Sequence, residues 1–93
     1  MTSRQAIRET KKLWRRLEEL GVSKVEYVEM YDDELAVRVR SYRGSCPLCE
    51  YTSKNHDCDS CPFVTQYDER CAELGYDSRP NARFMSAVKG LKE

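Results

Sequence analysis

The sequence of 93 residues lacks any long apolar stretch. A membrane-spanning helix needs about 18 or more consecutive apolar residues, and no such run occurs. The N-terminus is charged from Arg4 onward and has no apolar signal core, so export by that route is not indicated. We therefore expect a cytoplasmic protein. In that reducing compartment, paired cysteines are more typical of metal ligands than of disulfides.

Histidine is nearly absent, since His56 is the only one. This scarcity disfavours a nuclease built on histidine-bound metal. The sequence contains neither a P-loop nor a dinucleotide-binding fingerprint. The zinc deaminase pattern also fails, because Pro62 follows the second cysteine pair instead of preceding it. Together these absences predict that the protein is not an enzyme.

A net charge of either sign is absent too, because 16 basic residues balance 16 acidic ones. The charges are nevertheless sorted along the chain. Residues 1–16 hold six basic residues and one acidic residue, whereas residues 17–34 hold one basic residue and seven acidic ones. The sequence therefore predicts opposed charged patches beneath a neutral total.

Residues 3–20 have the periodicity of an amphipathic helix, with Thr2 or Ser3 as its N-cap and Gly21 at its end. One arc of this helix is apolar and consists of Ala6, Ile7, Leu13, Trp14, Leu17 and Leu20. The opposite arc, called the basic face below, consists of Arg4, Arg8, Lys11, Lys12, Arg15 and Arg16. The basic face is a candidate binding surface, although an ordinary solvated helix face has the same pattern.

The remaining patterns predict a single α+β domain over residues 1–93. Residues 25–31 and 35–39 are typical of the two strands of a β-hairpin, because Leu35, Val37 and Val39 alternate with more polar residues. The polar residues between them supply the turn.

A zinc-binding loop with little periodic structure is predicted over residues 41–62. One or two C-terminal helices follow it. The first covers residues 63–74 and ends near Gly75. The second starts with Ser78 as its cap and Pro80 in its first turn. It runs to about Leu91, with Ala82, Met85, Val88 and Phe84 as candidates for its inner face.

Four of the five cysteines form two Cys-x-x-Cys hooks separated by eight residues: Cys46 with Cys49, and Cys58 with Cys61. Two such hooks can place four thiolates at the corners of a tetrahedron, each about 2.3 Å from a zinc ion. A site of this kind is closed to substrate and stabilises the fold. Three alternatives are an iron–sulfur cluster, a redox pair like the Cys-Pro-Leu-Cys motif of glutaredoxins, and simple buried cysteines.

Two further residues are alternative zinc ligands. Cys71 lies ten residues after Cys61, and His56 lies two residues before Cys58. A small core residue is the simpler interpretation of Cys71. Solvent exposure is the simpler interpretation of His56, which could also donate a hydrogen bond to a thiolate.

The segment from Cys46 to Cys71 resembles small accessory proteins encoded by tailed bacteriophages, most of them without an assigned function. They share Cys-Pro-Leu-Cys, a short polar spacer, Cys-x-x-Cys-Pro and one more cysteine about ten residues later. Residues 72–76 differ from the Gly-Thr-Pro-Tyr-like run that many of them carry. The resemblance implies a viral protein that acts in the host cytoplasm by binding a host protein, such as a component of a defence system.

The expected function is therefore interaction with a protein partner. The alternative is a nucleic-acid-binding zinc module that uses the basic face, extended by Arg38, Arg40 and Arg43. Net neutrality and the acidic block over residues 18–34 disfavour this alternative, because they would repel a polyanion.

Overall fold

The computed structural model describes residues 2–54 and 61–93, and every regular element in these ranges is helical. The predicted α+β class is therefore wrong, because no strand occurs among the described residues. The helices are α1 (Ser3–Leu20), α2 (Lys24–Met30), α3 (Glu34–Arg40), α4 (Pro47–Lys54), α5 (Pro62–Tyr67) and α6 (Ala82–Lys89). A short 3-10 turn, Arg43–Ser45, links α3 to α4. None of the helices in the described ranges is both long and apolar enough to cross a membrane.

The first helix has the predicted bounds. Thr2 caps α1 by accepting a hydrogen bond from the backbone N–H of Gln5, and the Gln5 side chain accepts one from the N–H of Thr2 in return. Gly21 ends the helix with a φ of 68°, a left-handed conformation that glycine adopts without steric cost. The predicted apolar arc is buried except for Leu20, which is half-buried. Thr10, a polar residue of the same helix, is also buried.

The predicted β-hairpin is instead the pair of short helices α2 and α3. Ser23 and Glu26 form a capping box at the start of α2, and Asp33 caps α3 by accepting from the N–H of Ala36. Ala36 and Val39 are buried with helical spacing, whereas Val37 is 50% exposed. The alternation of Leu35, Val37 and Val39 therefore does not mark the inner face of a strand. The caps at Ser23 and Asp33 favour two helices instead.

Asp33 carries a pH-dependent part of the stability. Its Oδ1 accepts a 2.6 Å hydrogen bond from the Tyr27 hydroxyl, and this bond is the main cause that lowers the pKa of Asp33. Burial, together with the same bond, raises the pKa of Tyr27 to about 12. The lowered pKa of Asp33 means that its stabilisation is present above the unfolded-state pKa of about 3.9 and is lost as pH falls through the folded-state value.

We expect Asp33→Asn to lower the free energy of unfolding by about 1 kcal/mol at pH 7, because asparagine keeps the cap but loses the charge-assisted hydrogen bond. The difference should start to narrow below about pH 4, the unfolded-state pKa, and close only as the pH falls through the lowered folded-state pKa of Asp33. Urea denaturation of both proteins at pH 7 and pH 3 measures this. Comparing the two proteins at the same pH cancels the contribution that the other titrating groups make to the free energy of unfolding. An equal difference at both values would contradict the role of the charge.

The core lies between α1 and the C-terminal half of the chain. α1 packs against α4 and α6, and α2 packs against α3. An aromatic cluster fills the centre: the Trp14 ring lies 4.8 Å from Phe84 and 5.9 Å from Tyr76, between ring centroids. Phe63 joins it from α5, 5.6 Å from Phe84. These rings hold the start of α5 and the segment before α6 against α1.

The C-terminal helices begin and end differently from the prediction. α5 stops at Tyr67 because Asp68 takes a left-handed φ of 56°, so the expected helix over residues 63–74 is only half as long. α6 is capped by Asn81 instead of Ser78. The Ser78 carbonyl accepts the N–H of Lys24 at 2.8 Å, which ties the segment before α6 to α2. Phe84, Met85 and Val88 are buried as predicted, whereas Ala82 is exposed.

Candidate metal centre

Cys46 of the first hook and Cys61 of the second lie at helix starts, where the sequence predicted an irregular loop. Cys46-Pro47 opens α4, and Cys61-Pro62 opens α5. Proline suits the first helical position because its missing N–H is not needed there and its φ is already helical. Each Cys-Pro step therefore places a thiol at the end of a helix where free backbone N–H groups cluster. The predicted irregular loop over residues 41–62 is therefore wrong where α4 and the start of α5 lie. Residues 55–60 of that segment lie outside the described residues.

The two thiols of the first hook interact directly. A hydrogen bond with Cys49 is the main cause that lowers the pKa of Cys46, and the backbone N–H groups of Cys49 and Leu48 lower it further. The same bond, with burial, raises the pKa of Cys49. Cys46 is half-buried against the core and Cys49 is exposed. Cys46 is thus held in surroundings that favour a thiolate, the form that binds metals.

The second hook contributes Cys61, which is half-buried and packs against the core. Burial is the main cause that raises its pKa, and the N–H groups of Phe63 and Val64 act in the opposite direction without closing a capping hydrogen bond. The other predicted ligand of this hook, Cys58, and the alternative ligand His56 both lie outside the described residues.

Cys71 belongs to the same cluster. It is half-buried and packs against the core, which agrees with its simpler interpretation. The charges of Cys46 and Cys71 also affect the pKa of Cys49 and of Cys61, so the four described cysteines lie in one electrostatic neighbourhood. The structure thus brings Cys71 near the predicted ligands, and its alternative role stays open.

The described residues do not complete a metal shell. Within residues 2–54 and 61–93, no group of three or more His, Cys, Asp or Glu side chains is arranged to hold an ion. The donor chemistry nevertheless suits zinc, because soft thiols from two adjoining helix starts are the ligands of structural zinc sites. As described, Cys46, Cys49 and Cys61 are not arranged as a group of three ligands, so the zinc site, with Cys58 or Cys71 as its fourth ligand, stays a prediction.

Sequence reasoning missed a buried lysine beside the cluster. Lys24 is only 8% exposed, and its Nζ donates a 2.9 Å hydrogen bond to the carbonyl of Gly44. The ammonium also lies 5.0 Å from the centre of the Tyr76 ring. Lysine is among the residues least often buried, so a single sequence gives no signal for this position.

The basic face is exposed as predicted, except that Lys11 is half-buried. Beside it lies an open groove of about 300 Å³ between α1 and α3, lined by Gln5, Arg8, Glu9, Lys12, Arg38 and Tyr42. Arg38 donates to Glu9 at 2.6 Å, and this hydrogen bond raises the pKa of Arg38. The Tyr42 hydroxyl donates to the same carboxylate at 3.0 Å.

Carboxylates lie among the cations of this surface. Arg8 pairs with Glu93 at 3.3 Å, and Arg16 lies 3.9 Å from Glu19. At the far edge, Lys89 of α6 lies 3.6 Å from Glu18. The predicted extension of the face is only partial, because Arg40 donates to the carbonyls of Val28 and Tyr31 and so serves the end of α2.

No protein-family model, curated protein or solved structure matches this chain.

Proposed function

We propose that this chain is a small zinc-stabilised interaction protein whose basic face and adjoining groove bind a protein partner. The observation that carries the proposal is the division of α1. Its apolar arc is buried in the core, while Arg4, Lys12 and Arg15 are exposed and take part in none of the ion pairs of the described residues. These cations are not needed for folding, so they are free to contact a partner.

A protein partner fits this surface better than a nucleic acid does. A phosphate backbone needs a surface of one sign, whereas Glu9, Glu19 and Glu93 lie among the cations of α1. A protein surface can present both signs and match such a mixed pattern. Nucleic-acid binding is therefore the competing function, and the experiments below separate the two.

The zinc site has a structural role in this proposal. A zinc ion with four cysteine ligands has no open position for water or substrate, so we propose no enzymatic activity. The resemblance of the cysteine segment to phage accessory proteins supports a host protein as the partner and the host cytoplasm as the compartment. Affinity capture from bacterial lysate, with and without nuclease, tests the class of partner. A protein retained equally in both samples is expected, and capture that nuclease abolishes would contradict the proposal.

We expect the triple variant Arg4→Gln, Lys12→Gln and Arg15→Gln to fold normally, within about 0.5 kcal/mol per exposed site, but to lose affinity for the captured partner. Its association rate should fall and depend less on salt, because steering charges are lost. Kinetic binding measurements between 50 and 300 mM salt, roughly a 2.5-fold range in Debye length, test this.

A control removes positive charges elsewhere, at Arg70 and Lys92, which are exposed and take part in none of the ion pairs of the described residues. It should bind the partner like the wild type. The wild type should also show no salt-dependent binding to duplex DNA near physiological ionic strength. Micromolar or tighter duplex binding that the α1 variant abolishes and the control keeps would establish the nucleic-acid function instead.

A further inference from the structure

Four cations of the basic face lie in one straight row along α1. At about 100° per residue, Arg4, Arg8, Lys11 and Arg15 fall within an arc of about 60°. This row, called the α1 stripe below, extends about 17 Å along the helix axis. Among the ion pairs of the described residues, only the pair of Arg8 with Glu93 involves it. The stripe is therefore a row of positive charge with one occupied position.

Glu93 occupies that position in the geometry of a bound carboxylate. The Arg8 guanidinium donates to both of its oxygens, from Nε to Oε1 at 3.3 Å and from Nη2 to Oε2 at 3.4 Å. Two parallel N–H donors are the fork with which arginine recognises a carboxylate. This hydrogen bonding is the main cause that lowers the pKa of Glu93, and the charges of Lys11 and Arg4 lower it further. The α1 stripe thus already binds a carboxylate of its own chain.

The segment before Glu93 is held in place independently of this ion pair. Leu91 is 1% exposed and belongs to the core. The Gln66 side chain forms two hydrogen bonds with the backbone of Lys92: its Nε2 donates to the carbonyl and its Oε1 accepts from the N–H, both at 2.7 Å. Glu93 therefore reaches Arg8 with little further loss of conformational freedom, which makes it an effective competitor for any other carboxylate.

The C-terminal half of the α1 stripe borders an apolar depression of about 200 Å³ between α1 and α6. The depression is lined by Met85 and Val88 and by the cations Lys11, Arg15 and Lys89. An apolar side chain flanked by carboxylates complements such a site in both shape and charge. A peptide segment can present both kinds of group, whereas a phosphate backbone has no apolar side chain to place there.

We propose that the α1 stripe is the docking site for an acidic segment of the protein partner, and that Glu93 masks this site from within the chain. The inference rests on the proposed function and gives the chemistry of its partner. The side chains of Arg8 and Glu93 are 54% and 36% exposed, and an ion pair this open to solvent is weak. A segment that presents several carboxylates therefore displaces Glu93, and the mask lowers its affinity without blocking it.

The test measures how the full chain binds a defined probe, a fluorescently labelled peptide of glutamates with one central leucine. A peptide with glutamine in place of glutamate is its control. Glu93→Gln removes the mask and should bind the glutamate peptide about two- to fivefold more tightly than the wild type. Gln66→Ala loosens the segment without changing its charge and should also bind more tightly. In an Arg8→Gln background, Glu93→Gln should bring no gain, because the two act through one contact.

Glu69→Gln is the matched control, because it makes the same change of charge at an exposed residue outside the ion pairs of the described residues. Equal affinities of Glu93→Gln and Glu69→Gln, or a gain that persists without Arg8, would overturn the mask. If the glutamate peptide binds no better than the glutamine peptide, an acidic segment is not the ligand, although a protein captured from lysate would leave the proposed function standing. An Arg8-dependent gain for duplex DNA and not for the peptide would overturn the proposed function as well.

Discussion

Removal of the metal with a strong chelator is expected to abolish the cooperative unfolding of this protein. Structural zinc contributes on the order of 10 kcal/mol in small domains, comparable with the whole stability of a chain of this length. The helices that begin at the two Cys-Pro steps, α4 and α5, have eight and six residues. Helices this short are marginal on their own, so they depend on what anchors their starts. Native mass spectrometry should show one zinc per chain, and thermal unfolding should lose its sharp transition after chelation.

Cysteine variants show whether that effect belongs to the proposed site. Cys49→Ser should lose the zinc or bind it far more weakly. Cys71→Ser should keep it and lose only about 1 kcal/mol of packing. If Cys71→Ser loses the metal and Cys58→Ser keeps it, Cys71 is the fourth ligand. A protein that melts as sharply after chelation as before would contradict the structural role of zinc altogether.

The sequence was sufficient to predict α1 because several independent signals agreed there. The capping residue Thr2, eighteen residues of helical periodicity and the terminal Gly21 all mark the same bounds, and the structure has them. The exposed basic face follows from the same periodicity. In a long segment with capping signals at both ends, the local sequence largely determines the helix and its bounds, and tertiary contacts change them little.

The hairpin prediction failed because it depended on a short signal. Three apolar residues in alternation over five positions, Leu35 to Val39, also fit one turn and a half of a helix. The capping box of Ser23 and Glu26 was present in the sequence and indicates a helix start. At α3 the Asp33 side chain accepts both the Ala36 N–H and the Tyr27 hydroxyl, a contact that joins the two helices and cannot be inferred from periodicity.

The cysteine region was predictable in its chemistry but not in its structure. The spacing of the hooks indicated a metal, and the two Cys-Pro steps contained an unused signal, since proline favours the first position of a helix. The burial of Lys24 is different in kind. It depends on Gly44, Tyr76 and Ser78, which lie 20 to 54 residues away and meet only in the folded chain.

The second large effect is expected at the centre of the core, where Trp14→Ala should lower the free energy of unfolding by about 3–5 kcal/mol. Trp14 is 2% exposed, and its ring makes edge contacts with both Phe84 and Tyr76. Each such aromatic pair contributes about 0.5–1.5 kcal/mol of stability beyond the contribution of its buried area. Urea denaturation of the zinc-saturated protein, followed by circular dichroism because the single tryptophan is removed, measures the loss.

Trp14→Phe is the matched control for this cavity and should cost less, because an aromatic ring still fills most of the space. Since Cys46, Cys61 and Cys71 pack against the core cluster that contains Trp14, the alanine variant should also weaken zinc binding, while the phenylalanine variant should keep it. Such a joint loss would show that the core and the cysteine cluster are one cooperative unit. A loss of less than about 1 kcal/mol in Trp14→Ala would mean that these rings do not form the centre of the core.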